Sequence, residues 1–179
     1  MTAAPLDYTV VDIVGHPFHA IWTPEDGAVR AAGFATASDP AAASLMIRLA
    51  ALDPNLASRG LSAEPRSSGV IPDALRAYAA GDLEAIDDLA VAQPETPFRG
   101  EVWRALRRVP AGAAVTYTEL AGLAGRPAAV RAAASGCANN LVALIVPCHR
   151  IVRTDGGLGG YLFGTAIKEE LLRLERAIL

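Results

Sequence analysis

Leu144-Ile145-Val146-Pro147-Cys148-His149-Arg150-Ile151-Val152 is the stretch on which the reading of this chain turns. An apolar run of buried-strand type delivers a Pro-Cys-His-Arg tetrad, followed by a second β-branched pair and the turn Thr154-Asp155-Gly156-Gly157. Pro147 removes a ladder donor, so regular pairing should stop there and release Cys148 and His149 from strict strand alternation. A thiol is a poor nucleophile until ionised, with a free pKa of about 8.5. A neighbouring imidazole can take its proton, and an acid beyond the imidazole can orient it. Taken by itself, Cys148 reads first as a small buried hydrophobe, because free Cys is among the most buried residue types.

Upstream of that stretch the texture is helical. Phe98 to Val109 places Val102, Leu106 and Val109 on one face and ends at Pro110-Ala111-Gly112. A short helix from Thr118 to Ala124, capped by Thr118, precedes the turn Gly125-Arg126-Pro127 and a second helix from Ala128 to Cys137. Two short helices joined by a Gly-containing turn predict a helix-turn-helix. Downstream, a C-terminal helix is expected from Ala166 to Leu179, with Glu169-Glu170 beside Lys168 on a solvated face. Gly156-Gly157-Leu158-Gly159-Gly160 lacks the Lys-Ser/Thr ending of a phosphate loop and does not complete G-x-G-x-x-G.

Gln93-Pro94-Glu95-Thr96-Pro97 predicts a linker, dividing the chain into domains at 1–92 and 93–179. The first domain reads as sheet, then helix. Tyr8 to Val14, Phe18 to Thr23 and Val29 to Phe34 are short β-prone segments separated by turn residues, which predicts an antiparallel meander. Asp39 as N-cap with Pro40 at the first helical position opens an Ala/Leu-rich helix to about Leu52. Residues 53–69 read as loop, and a second helix runs from Pro72 to Ala80 with Gly81 as its C-cap. His16 and His19 are read as surface or turn histidines, and Trp22 and Trp103 as core.

The chain has 179 residues and a formal net charge of −3, which on its face disfavours nucleic acid as a partner. Splitting the chain reverses that. Residues 1–92 hold five basic and twelve acidic side chains, a net of −7, whereas residues 93–179 hold eleven basic and seven acidic, a net of +4. The basic half is therefore expected to touch a polyanion, and lightly, with the acidic half turned away. Two cysteines without C-x-x-C spacing point to a reducing compartment and away from a disulfide scaffold or zinc site. No signal peptide and no membrane-length apolar run are read, so a cytoplasmic protein is expected.

Pro147-Cys148-His149-Arg150 after an Ile/Val strand resembles the active site of the O6-alkylguanine-DNA alkyltransferases, also called methylated-DNA–protein-cysteine methyltransferases. The resemblance extends through Thr96-Pro97-Phe98, Val102-Trp103, Val109-Pro110-Ala111-Gly112, Tyr117, Gly125-Arg126-Pro127, Arg131-Ala132 and Asn140 to Tyr161 and Lys168-Glu169. It implies an α+β, two-domain chain: a small antiparallel sheet with helices, ribonuclease H-like, followed by a helical domain of winged helix-turn-helix type. It implies direct reversal of DNA alkylation, in which O6-alkylguanine, and O4-alkylthymine too, is flipped from double-stranded DNA and loses its alkyl group irreversibly to Cys148. In that scheme His149 deprotonates Cys148 through a bridging water, Glu175 holds the imidazole, Asn140 joins the helix-turn-helix to the active-site loop, and Tyr117 serves the departing guanine oxygen. Arg131 fills the space vacated by the flipped base, with Ala132 and Ala134 allowing close approach of the helix in the minor groove. Pro147, Ile151, Tyr161, Leu162, Phe163 and Cys137 form the pocket. No metal or cofactor is implied, and the protein is expected to be monomeric, with cooperativity on DNA left open.

The sequence departs from the family pattern after Tyr161. Leu162-Phe163-Gly164 stands where a small residue and two glycines are usual. If the first of those glycines has positive φ, Phe163 is strained there; otherwise two bulky side chains crowd the lesion. A reshaped pocket follows, with altered alkyl preference or a slower reaction. The alternative is a non-reactive or slow lesion-binding protein of the alkyltransferase-like kind.

Overall fold

The computed structural model describes residues 3–35 and 41–179. They fall into two compact units, Met1–Pro94 and Glu95–Leu179, dividing two residues beyond the expected boundary. Asp39 and Pro40, expected to open the first helix, lie outside the described residues.

In the first unit, β1 (Asp7–Ile13), β2 (His16–Trp22) and β3 (Val29–Phe34) form the expected antiparallel meander in the order β1-β2-β3. Alternation along β1 buries Asp7, Thr9, Val11 and Ile13 and leaves Val10 and Asp12 outside, the period-2 signature of a half-buried strand. Helices α1 (Ala41–Leu52) and α3 (Val70–Ala79) pack on this sheet. Between them the sequence reading missed α2 (Pro54–Ala57): Asp53 caps it by accepting from the Leu56 amide at 2.9 Å, with Pro54 at the first position. Phe18, Phe34, Leu49, Leu75 and Tyr78 are buried in this core, and Phe18 meets Phe34 edge-on at 4.9 Å between centroids. At about 1.5–3 kcal/mol for each large apolar side chain, such burial dominates the gain here. His16 and His19 lie within β2, half-buried, rather than in a turn.

The second unit is built on α4 (Pro97–Arg107), α5 (Tyr117–Leu123) and α6 (Val130–Ala138), which pack against one another. Gly136 lets α6 approach α4, since a Cβ there would stand 2.8 Å from Val102 Cγ1. Trp103, buried as expected, donates from Nε1 to the Gly136 carbonyl at 3.0 Å and pins the crossing. The cap of α5 is Thr116, not Thr118. Thr116 accepts from the Glu119 amide at 3.1 Å while Glu119 accepts from the Thr116 amide at 2.6 Å, a reciprocal capping box that Thr118 has no glutamate to complete.

The apolar run before Pro147 is not a strand. Residues 141–147 are all buried, but Leu144 has φ 68° and only an isolated bridge joins Ala143 to Val146. The Asn140 side chain decides this. It accepts from the Val142 amide at 3.1 Å and donates to the Val146 carbonyl at 2.9 Å, supplying in a turn the partners that a ladder would have supplied. A short 3-10 helix (Cys148–Arg150) follows, then β5 (Ile151–Val152), which pairs in parallel with β4 (Val115–Thr116). The last helix, α7 (Thr165–Leu174), is shorter than expected; Glu175 is its C-cap, and Arg176 turns the chain at φ 58°. Among the described residues no helix is long and apolar enough to cross a membrane.

Candidate active site

The short 3-10 helix presents Cys148 at its N-terminus, half-buried on the wall of a cavity of about 230 Å³. That is below the roughly 300–1,000 Å³ of drug-sized ligand sites and suits a single heterocycle. Asn140, fully engaged with the backbone of the preceding turn, also donates from Nδ2 to Cys148 Sγ at 3.3 Å. The loop that shapes the turn and the sulfur it presents are thus fixed by one amide.

His149 and Arg150, the next two residues, are buried and converge on Glu175. His149 Nε2 lies 2.9 Å from Glu175 Oε1. Arg150 donates from Nε to Oε2 at 3.0 Å and from a terminal nitrogen to Oε1 at 2.8 Å, and its other terminal nitrogen donates to the Val109 carbonyl at 2.6 Å. Burial alone would push the Glu175 pKa up, but the hydrogen bonds and charge of His149 and Arg150 outweigh it and hold the carboxyl at about 2. Burial pushes the His149 pKa down; Glu175 opposes this, while the charges of Arg150 and Lys168 reinforce it. The outcome is a neutral imidazole beside an ionised carboxylate. An ionised carboxylate only accepts, so His149 Nε2 must be the donor and Nδ1 the basic nitrogen. Nδ1 is buried and has no hydrogen-bond partner among the described residues.

Tyr117 begins α5 and lines the cavity with Cys148. Burial, and then the charges of Cys137 and Cys148, raise its pKa, so the phenol keeps its proton and remains a donor. Gly159 is the residue that makes room for it: at φ 75° it lies so close that a Cβ would stand 3.2 Å from the Tyr117 hydroxyl. Cys137, from the last turn of α6, reaches the same cavity, and burial, with the charge of Cys148, raises its thiol pKa.

Tyr161, Leu162 and Phe163 close the other side. Phe163 is not strained, as the glycine pattern would have it: the positive φ, 98°, falls on Gly164. Phe163 instead packs edge-on against Tyr161 at 5.4 Å, and Leu162 is 61% exposed at the rim. Pro147 and Ile151, expected on the pocket wall, are buried but do not line the cavity; Ile151 pairs with Val115 in the small ladder. Arg131 and Ala132 are exposed on α6, and Ala134 lines the cavity. Arg131 also borders a second depression with Tyr117, Ala134 and Arg153.

Two groups were missed. Lys168, placed beside a solvated face, is fully buried, and donates to the carbonyls of Ile151 at 2.5 Å and Gly160 at 3.3 Å. Burial lowers its pKa, and the Cys148 and Cys137 sulfurs push it back up. Ile167, Lys168, Leu171, Leu172 and Glu175 form one buried helical stripe, and that spacing was available in the sequence. For Arg150 as the second partner of Glu175 there was no such local signal.

Residues 97–177 match the family described as 6-O-methylguanine DNA methyltransferase, DNA binding domain. Over 111 residues the chain is 43% identical to the methylated-DNA–protein-cysteine methyltransferase of Shigella flexneri, covering 62% of this chain and 65% of that protein, just under two thirds of its length. An 80-residue stretch is 54% identical to the bifunctional transcriptional activator/DNA repair enzyme Ada of Escherichia coli, covering 45% of this chain and 23% of that protein. The mixed fold, helices with a small antiparallel sheet, is similar to that of Mycobacterium tuberculosis OGT crystallised in complex with DNA. The TM-score is 0.72 at 27% identity, over 96% of this chain and 93% of that one.

Proposed function

We propose that this chain, whose residues 97–177 match the family described as 6-O-methylguanine DNA methyltransferase, DNA binding domain, repairs alkylated DNA directly, moving the alkyl group from O6-alkylguanine, and from O4-alkylthymine, onto Cys148. The observation that carries this is the order of groups behind the cavity: Cys148 on its wall, a neutral buried His149 next in sequence, and an ionised Glu175 fixing His149 Nε2 so that Nδ1 is the base. Nδ1 takes the Cys148 proton through a bridging water. The thiolate attacks the alkyl carbon in line; the S–C bond forms as the C–O6 bond breaks, and the electron pair leaves with the guanine oxygen. Tyr117, held protonated by burial, donates to that oxygen. The product is a thioether that water does not cleave, so each molecule acts once.

The target base lies in a duplex and must be turned out into the cavity. Arg131 occupies the space left in the stack, and the exposed Ala132 with Ala134 lets α6 lie close in the minor groove. The basic charge of residues 93–179 supplies the attraction to DNA, and the acidic residues 1–92 face away from it. α5, α6 and the β4-β5 ladder support a winged helix-turn-helix for this domain, and the meander with its helices supports a ribonuclease H-like first domain. The protein acts as a cytoplasmic monomer.

Leu162 and Phe163 favour a restricted version of this activity, in which small alkyl groups are accepted and bulky ones are excluded or react slowly. The test is to incubate the protein with a duplex carrying O6-methylguanine and weigh the intact chain. A gain of about 14 Da that disappears in Cys148→Ala is expected for covalent transfer. Tight binding without a gain in mass would replace transfer by lesion binding alone. Leu162→Ser with Phe163→Gly should speed transfer from O6-benzylguanine relative to O6-methylguanine; an unchanged ratio would remove the wall from the account.

A further inference from the structure

We propose that Cys137 is a second thiol of this cavity, one that forms a reversible disulfide with Cys148 when the protein meets a hydroperoxide. This rests on Cys148 being the reactive thiol of the site. The chain holds only two cysteines, and both line the same cavity as thiols, each half-buried. A single residue connects them through hydrogen bonds. The Asn140 amide donates to the Cys137 carbonyl at 3.2 Å, and its side chain donates to Cys148 Sγ at 3.3 Å. Cys137 is the penultimate residue of α6, so closing its sulfur on Cys148 calls for a change in the last turn of that helix alone.

The two thiols differ, and the difference sets which of them meets the oxidant first. Burial keeps Cys137 protonated until the attack itself, while Cys148, with the neutral His149 next in sequence as its proposed base, ionises first. The Cys148 thiolate attacks one oxygen of the hydroperoxide; the S–O bond forms, the O–O bond breaks, and the leaving oxygen takes up a proton, as water when the oxidant is hydrogen peroxide. The Cys137 sulfur then attacks the Cys148 sulfenic acid. The S–S bond forms, the S–O bond breaks, and the hydroxyl leaves with the Cys137 proton as a second water. Two thiols are oxidised by two electrons and one peroxide is reduced. The disulfide closes the alkyl acceptor and shields Cys148 from irreversible oxidation, and a dithiol reopens it.

The test treats reduced protein with hydrogen peroxide, blocks free thiols with N-ethylmaleimide, and weighs the intact monomer. A loss of about 2 Da with no maleimide added is expected. Methyl acceptance from an O6-methylguanine duplex should be lost in parallel and return with dithiothreitol. Cys137→Ser should gain about 16 Da per oxygen and give no species lighter by 2 Da. Wild-type protein methylated on Cys148 beforehand, and shown by circular dichroism to keep its fold, should also give none. A wild-type chain that only gains oxygen, or that forms only a linked dimer, overturns the proposal. The unoxidised sample tests the repair function separately: methyl acceptance without the disulfide defeats only this inference, and the disulfide without methyl acceptance defeats only the earlier one.

Discussion

The two units handle charge in opposite ways. Among the described residues, the buried polar groups of the first unit are Asp7, Thr9 and Thr23; Asp7 pairs with the exposed Arg66 at 3.0 Å, and other ion pairs, such as Arg76 with Asp73, lie at the surface. The second unit buries Asn140, His149, Arg150, Lys168 and Glu175. Burying an ion costs several kcal/mol unless partners offset it, so such a cluster is a poor way to gain stability and a good way to fix protonation states. With Asp7 its one buried charged side chain among the described residues, the sheet unit shows what stability by itself needs: mostly apolar side chains inside and solvated charge outside. The helical unit departs from that beside Cys148, where the proposed transfer needs a base of known tautomer.

The contrast can be broken most directly at Glu175. Glu175→Gln leaves Arg150 buried without its carboxylate and is expected to destabilise the second unit by about 3–5 kcal/mol. The chain has one tryptophan in each unit, so the two can be followed separately: in a Trp22→Phe background, Trp103 fluorescence should show the loss in urea, while Trp22 in a Trp103→Phe background should not. Equal shifts in both would remove the distinction. Tyr117→Phe should slow methyl transfer about 100-fold or more, since a positioned proton donor contributes on that scale, and should leave the urea midpoint of either unit nearly unchanged.

Acid should separate the units as well. The His149 pKa lies below its ordinary 6.5, and that of Glu175 is about 2 against an ordinary 4.5. For both groups the unfolded chain binds more protons at low pH. Their contribution is complete above about pH 6.5, is lost first as the pH falls through the unfolded histidine value, and falls further between about 4.5 and 2. The Trp103 signal should therefore weaken in acid before that of Trp22, and the transfer rate should hold through the ordinary histidine value of 6.5 and fall below it, because a protonated His149 cannot accept the thiol proton. Arg131→Ala is a smaller change: weaker binding and slower transfer on duplex DNA, with little effect on reaction with free O6-methylguanine base. At the bottom of the scale, Arg76→Ala on α3 removes an exposed ion pair and should alter neither the urea midpoint nor the rate measurably.

Local chemistry was legible where it acts over a few residues. The meander follows from β-prone runs split by turn residues, and the paired helices from apolar spacing and Gly125-Arg126-Pro127. Cys148 and His149 were marked by being adjacent, and Glu175 came only through resemblance, because nothing between residues 150 and 175 points to it. The strand expected before Pro147 failed because β-branched composition cannot register a side chain, here Asn140, that satisfies the backbone in a turn instead. Thr118 has the residue type of a cap, but the partner that completes a capping box is Glu119, whose carboxylate reaches back to Thr116.

By itself, then, the sequence determined most of the elements, the charge asymmetry and the candidate nucleophile with its neighbouring candidate base, because spacing and residue type act within one or two turns of chain. Only the tertiary structure decided which groups are buried and what faces them. It placed Arg150 and His149 on one carboxylate, Lys168 on two carbonyls, both thiols on one cavity and the positive φ on Gly164 rather than Phe163. Desolvation and long-range pairing set protonation states, and both depend on residues that meet only when the chain has folded.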